Sequence, residues 1–258
     1  MRNTAENIEK FYTTPCGIAA QAMVERRLHA LWPHLQGCDV LGYGYSKPFL
    51  SGYQTNAHRT IYALPALQGA QAIASPRGNA SVQIQDHQLP FMPGIFDRVL
   101  VAHGLEETPR LNASLRELWR VMKPEGRIVI IAANRSGLWA RSDKTPFGAG
   151  RPFSRTQLSQ CLKAAGFEPL VRAGALYAPP INFLCSKTMG RMFETFGETV
   201  WPGFSGLVLV EAVKRMYVGD DARQKKKILR PNFKGAGVLG SAGKSYQRNT
   251  ELDEVGHG

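Results

Sequence analysis

The sequence predicts a doubly wound α/β sheet, mostly parallel, with helices on both faces. Three observations predict it. Seven strand-like segments alternate with helical ones along 258 residues, as strands joined by crossover helices do. Some strands are nearly continuous apolar runs, FDRVLVAH (96–103) above all, which suits a strand covered on both faces. The first strand runs into a turn with two glycines, DVLGYGYS (39–46), where such sheets take their ligands.

The elements follow in order. IAAQAMVERRLHALW (18–32) spaces apolar residues as a helix does, and Pro33 stops it. CDVLGYG (38–44) is the first strand. RTIYALP (59–65) is the second, closed by its proline, and ASVQIQD (80–86) the third, alternating at period two. The fourth is FDRVLVAH. In TPRLNASLRELWRVMKPEG (108–126), Leu111, Leu115, Leu118, Trp119 and Met122 share a helical face, and Lys123-Pro124-Glu125-Gly126 breaks the helix. RIVIIAAN (127–134) is the fifth strand. SRTQLSQCLKAAGFE (154–168) is a helix with Ser154 as N-cap and Gly166 as its stop. Strand LVRAGALY (170–177), helix FLCSKTMGRMFETFG (183–197) and strand GLVLVEAVKRMY (206–217) complete a domain of residues 1–220 with an N-terminal helical cap. Residues 221–258 read as a flexible basic tail: 223–248 hold eight Lys or Arg and no acid.

The net charge of +12 favours anionic partners, RNA or an acidic protein, although a basic soluble enzyme carries it equally well. The four cysteines are far apart and form no zinc spacing or disulfide framework, so no metal and a reducing cytoplasm are expected. MRNTAENIEKFY lacks the apolar stretch of a signal peptide. No run of about 18 apolar residues predicts a membrane span. Oligomeric state stays open.

The glycine turn lacks the third glycine of a nicotinamide fingerprint, Lys47 standing there, and no acid occurs between Asp39 and Asp86 to bind a ribose. A nicotinamide cofactor is therefore not expected. The stretches QDHQLPFMPGIFDRVLVAHGLEET (85–108) and RELWRVMKPEGRIVII (116–131) resemble class I S-adenosylmethionine-dependent methyltransferases of the type-11 domain group, the resemblance running from about residue 36 to 172. Residues 134–158 look like a bacterial subgroup of that domain.

The resemblance implies a Rossmann-like seven-stranded sheet with its last strand antiparallel. It also implies methyl transfer from S-adenosylmethionine, leaving S-adenosylhomocysteine, to an unidentified acceptor. Carried onto this chain, Gly42, Tyr43 and Gly44 would cradle the methionine part of the cofactor. Gln85, Asp86 and His87 would lie at the adenine. Residues 103–107 would face the acceptor, with His103 and Glu106 as catalytic candidates, although alignment alone can carry methyl transfer. A valine at Gly44 is then expected to block the cofactor and spare the fold.

The chain departs from the family pattern twice. Val40 stands where the acid before the glycines belongs, Asp39 pointing to the other face. Near Ala63 the acid closing the second strand is missing, with Gln68 or backbone amides as substitutes. A catalytically silent binding protein and an RNA-associated protein are the rival readings. The loop 134–153 carries Trp139 and Phe147 among Arg141, Lys144 and Arg151. These aromatics either stack on a planar substrate or pin the loop to the body. FYTTPCG (11–17) is placed to cover the same mouth.

Overall fold

A computed structural model of the chain describes residues 4–75, 78–180 and 202–216. Strands β1 (Asp39–Gly44), β2 (Arg59–Pro65), β3 (Ser81–Ile84), β4 (Phe96–Ala102), β5 (Met122–Ala133), β6 (Phe167–Ala175) and β7 (Leu207–Lys214) form a seven-stranded sheet. Their order is β3-β2-β1-β4-β5-β7-β6. Only β7 runs antiparallel to its neighbours, β5 and β6. This is the expected fold class, last strand included. The chain reverses direction across the sheet between β1 and β4, which opens a crevice at their carboxyl ends.

The described α-helices are α1 (Ala5–Thr13), α2 (Pro15–Leu31), α3 (Lys47–Leu50), α4 (Leu111–Val121) and α5 (Arg155–Ala164). α1 and α2 share one core with Val40, Leu100, Val129 and Ile131. α4 and α5 share the other with Leu41, Val99, Val101, Ile128 and Ile130. Successive residues of β4 point to opposite faces and both faces are covered, so residues 99–102 are all apolar and buried, while Asp97 and Arg98 sit half-buried near its start. The end of α2 is tied to the sheet by Trp32 Nε1, which donates to Glu211 Oε1 on β7 at 3.0 Å. Glu211 is only 2% exposed and also meets Arg127 Nη1 at 3.3 Å; a carboxylate so buried requires such partners.

Ser154 caps α5 as expected, its Oγ accepting from Gln157 N at 3.1 Å. Three local expectations are refined. FYTTPCG is the end of α1 and the start of α2, where Thr14 Oγ1 accepts from Gly17 N at 3.1 Å and Pro15 opens the helix. The helix ends at Val121, ahead of Lys123–Gly126 as expected, but these residues lie within β5 instead of preceding it; Glu125 at φ 58° absorbs the turn, and pairing with β4 resumes at Arg127. Cys16 is disulfide-bonded, whereas Cys38 and Cys161 are free; linear spacing does not reveal a cross-link made by folding. The expected helix 183–197 and the basic tail lie outside the described residues. Among the described residues no helix is long and apolar enough to cross a membrane.

Candidate active site

The carboxyl ends of β1 and β4 meet backbone to backbone. Gly44 has φ +73°, and a Cβ there would strike Ala102 O and lie 2.7 Å from Gly104 Cα. A Cβ on Gly104 would lie 2.8 Å from the Tyr43 ring. The space beside Gly42 is taken by Ser46 Oγ, with Leu50 and Tyr62 each at 3.0 Å. The glycines thus make room for protein, and residues 41–46 are all buried. The expectation that valine at Gly44 would spare the fold is overturned by this packing.

Helix α1 covers the turn. Glu9 Oε1 pairs with Lys47 Nζ at 2.7 Å, just beyond the glycines. Its Oε2 accepts from Gln71 Nε2 at 2.6 Å. Tyr12 OH lies 2.8 Å from His103 Nε2, and the Tyr12 ring meets Phe49 edge-on at 5.7 Å.

His103 ends β4 in the left-handed region, φ 51°. Gln68 Nε2 donates to its carbonyl, and Phe147 lies 4.6 Å from its ring. A non-glycine residue so held costs free energy, and such residues concentrate at functional sites. Burial pushes the His103 pKa down to about 3, so the ring is neutral at physiological pH. Burial pushes Glu106 up to about 7, against hydrogen bonds from nearby backbone that favour its charge. The Tyr12 hydroxyl is pushed up by its burial and by the charge of Glu106. The loop after β5 closes on this group: Arg151 N donates to Glu106 O at 2.8 Å, and Gly150 packs against Glu106.

These two shifts act on stability with opposite signs. His103 takes up a proton on unfolding between pH 6.5 and 3, so its contribution is full above 6.5 and lost as pH falls. Glu106 releases a proton on unfolding between pH 4.5 and 7, so stability is lost as pH rises through that window. Each slope is about 1.4 kcal/mol per pH unit, and from pH 4.5 to 6.5 they cancel. Urea midpoints are expected to fall on acidification in Glu106→Gln. They should rise in His103→Asn, asparagine being tolerant of the left-handed backbone. Identical pH profiles for wild type and Glu106→Gln would show that Glu106 titrates ordinarily.

The other candidates are scattered around the crevice. Asp86 is buried, and its carbonyl accepts from Tyr43 OH at 3.0 Å. Gln85 bridges to Gln88. His87 turns to an exposed contact with Arg110 at 3.2 Å. Asp39 sits at the amino end of β1, bonded to His58 at 2.9 Å and near Arg59 and Lys123, remote from the turn. Trp139 and Phe147 are both buried, and Trp139 Nε1 donates to Ala178 O at 2.7 Å, so these rings pin the loop. Tyr12 and Glu9 were not singled out. Tyr12 lies within FYTTPCG, the stretch expected at the mouth, and Glu9 two residues before it, but docking of α1 is a tertiary event. Beside Phe11 opens a cavity of about 500 Å³, whose lining includes Lys10, Thr14, Lys144 and Thr145.

Residues 30–130 match the family profile of a methyltransferase domain. A ubiquinone/menaquinone biosynthesis C-methyltransferase from Rhizobium leguminosarum is 38% identical over 50 residues, 19% of this chain and 19% of that protein. The match therefore spans about a fifth of the relative's length. In overall fold, a methyltransferase from Thermotoga maritima superposes with TM-score 0.57 at 15% identity, covering 81% of this chain and 95% of that one. The cyclase SpnF superposes with TM-score 0.54 at 17% identity, covering 83% and 97%. A cyclase among the neighbours shows why the fold does not specify the reaction. The chain contains a methyltransferase domain over residues 30–130, carried on the class I methyltransferase fold.

Proposed function

We propose that the chain transfers a methyl group from S-adenosylmethionine to a small acceptor. The observation that carries this reading is a set of buried polar atoms without partners: Ser46 Oγ, Gln68 Oε1 and Gln71 Oε1. All follow the carboxyl ends of β1 and β2. Buried polar atoms are nearly always paired, so these three suit a polar ligand in the crevice. Gln68 and Gln71 would hold the cofactor together with Asp86, whose carboxylate suits an adenine amino group. Gly42, Tyr43 and Gly44 shape the floor beneath it. When bound, the cofactor supplies an electrophilic methyl group on a sulfonium.

The chain's own residues do the rest. Glu106, with a pKa near 7, takes the proton of an O–H, N–H or acidic C–H acceptor. His103 stays neutral and fixes Tyr12 through the 2.8 Å hydrogen bond. Helix α1 excludes water from the crevice. The cavity beside Phe11 has a size typical of small-molecule sites, and Lys10 and Lys144 on its wall favour an electron-rich or anionic acceptor.

Calorimetry with S-adenosylhomocysteine tests the reading. Micromolar binding is expected, and no heat at high micromolar ligand would leave a silent binding protein on the same fold. The eight cations of residues 223–248 support a further contact with RNA or an acidic protein, and removing residues 222–258 would reduce any RNA affinity and flatten its salt dependence. A cytoplasmic location sits against the Cys16 disulfide, since such bonds are rare where thiols are kept reduced.

A further inference from the structure

Tyr12 reaches the crevice from outside the sheet. Helix α1 brings its ring to the carboxyl end of β4, where it meets Phe49 edge-on at 5.7 Å and Phe11 at 5.1 Å. The residue is 8% exposed. Among the described residues its hydroxyl has a single hydrogen-bond partner, His103 Nε2 at 2.8 Å. The distance alone does not say which of the two atoms donates. If Nε2 carried the proton, the Tyr12 O–H would have no acceptor inside an aromatic enclosure, and a buried donor left unmade is costly. The hydroxyl also keeps its proton, because burial and the charge of Glu106 both oppose its ionisation. Tyr12 therefore donates to Nε2, and the one proton of the neutral imidazole sits on Nδ1.

This tautomer decides what His103 can do. Its one ring lone pair is taken by Tyr12, and Nδ1 is an N–H that meets no acceptor among the described residues. The residue is held in place by Tyr12 at Nε2, by the Phe147 ring 4.6 Å away and by Gln68, whose Nε2 donates to its backbone carbonyl. Such an imidazole cannot take a proton from an acceptor; it donates a hydrogen bond. We propose that Tyr12 is a positioning residue: its hydroxyl locks His103 as an Nδ1–H donor to an oxygen of the methyl acceptor and leaves proton removal to Glu106. The proposal rests on the methyl-transfer reading above and names its substrate class, an enolisable carbonyl compound. The Glu106 carboxylate takes the acidic C–H proton and becomes a carboxylic acid. The electron pair left behind spreads onto the carbonyl oxygen, and a fixed N–H stabilises it there without giving up its own proton. An amine without such an oxygen leaves the donor unmet. Docking of α1 thus completes the site as well as covering it.

Nitrogen-15 NMR on the full chain, labelled at histidine, tests the lock directly. The His103 signals are those absent from His103→Asn. At neutral pH wild type is expected to show a protonated Nδ1 and a bare Nε2. Tyr12→Phe keeps the ring and removes only the hydroxyl, so in that variant the preference should be lost and Nε2–H become populated. A wild type protonated at Nε2 would overturn the proposal, and so would a Tyr12→Phe spectrum unchanged at His103. The wild-type spectrum decides the matter even where the variant folds poorly. With the acceptor found by label transfer, Tyr12→Phe should lower kcat about ten-fold, the scale of one hydrogen bond, with KM within about two-fold. The pH inflection of Glu106 near 7 should remain; its loss would overturn the division of labour between His103 and Glu106. An acceptor without an enolisable carbonyl would overturn the substrate class. Absence of calorimetric heat with S-adenosylhomocysteine would refute the methyl-transfer reading and the acceptor oxygen with it, a failure distinct from that of the tautomer.

Discussion

Replacing Gly44 with alanine is expected to destabilise the protein by about 3 kcal/mol. Two costs add. A side chain at φ +73° is disfavoured by roughly 1–2 kcal/mol. Its Cβ would also press on Ala102 O and, at 2.7 Å, on Gly104 Cα, and overpacking of this kind costs about 1–3 kcal/mol. The stiffer unfolded chain returns only about 0.4–1 kcal/mol. The obstacle is backbone of the neighbouring strand, so no side chain can rotate to relieve it. Gly52→Ala is the control, since nothing lies within 4 Å of a Cβ there, and its unfolding should match wild type within about 0.5 kcal/mol. Urea titration measures both. A Gly44→Ala protein as stable as its control would mean that the ends of β1 and β4 are less tightly joined than described.

The second large effect is catalytic. Glu106→Gln is expected to lower kcat/KM by roughly 10²–10⁴, the range for loss of a general base, once an acceptor has been found by label transfer. Below pH 7 the Glu106 carboxyl is protonated and cannot accept a proton; above it the carboxylate can. The wild-type rate should therefore rise with pH, inflect near 7 and level off, whereas the variant should be slow without that inflection. Glutamine keeps the shape of the side chain, so S-adenosylhomocysteine should bind the variant within about two-fold of wild type, well under the ten-fold that 1.4 kcal/mol represents. A variant with full activity would assign methyl transfer to alignment alone.

Much of the fold was legible because it rests on local patterns. The apolar run of β4 follows from strand alternation with two covered faces, and β2 occupies the predicted residues 59–65. Ser154 was readable as a cap because its bond to Gln157 spans three residues. Helix α1 was less legible. Its docking depends on contacts such as Tyr12 with His103, 91 residues apart, and no local window contains them. The helix stops ahead of Lys123–Gly126 as expected, but the strand begins earlier than residue 127 for a related reason: pairing of Met122 with Phe96 of β4 draws the turn into the strand.

The site divides in the same way. By itself the sequence determined the sheet, the position of the glycine turn, the missing acids after β1 and β2, and His103 and Glu106 at the end of β4. These depend on residue type and order along the chain. Only the tertiary structure decided that Gly44 yields its space to Gly104, that Asp39 serves the far end of β1, that Gln68 leaves one acceptor open, and that Glu106 rather than His103 titrates near neutrality. Each of these depends on which distant segments exclude water or lend a partner. Burial raises the pKa of a carboxyl and lowers that of an imidazole because it penalises the charged form of each, and burial exists only once the chain has folded.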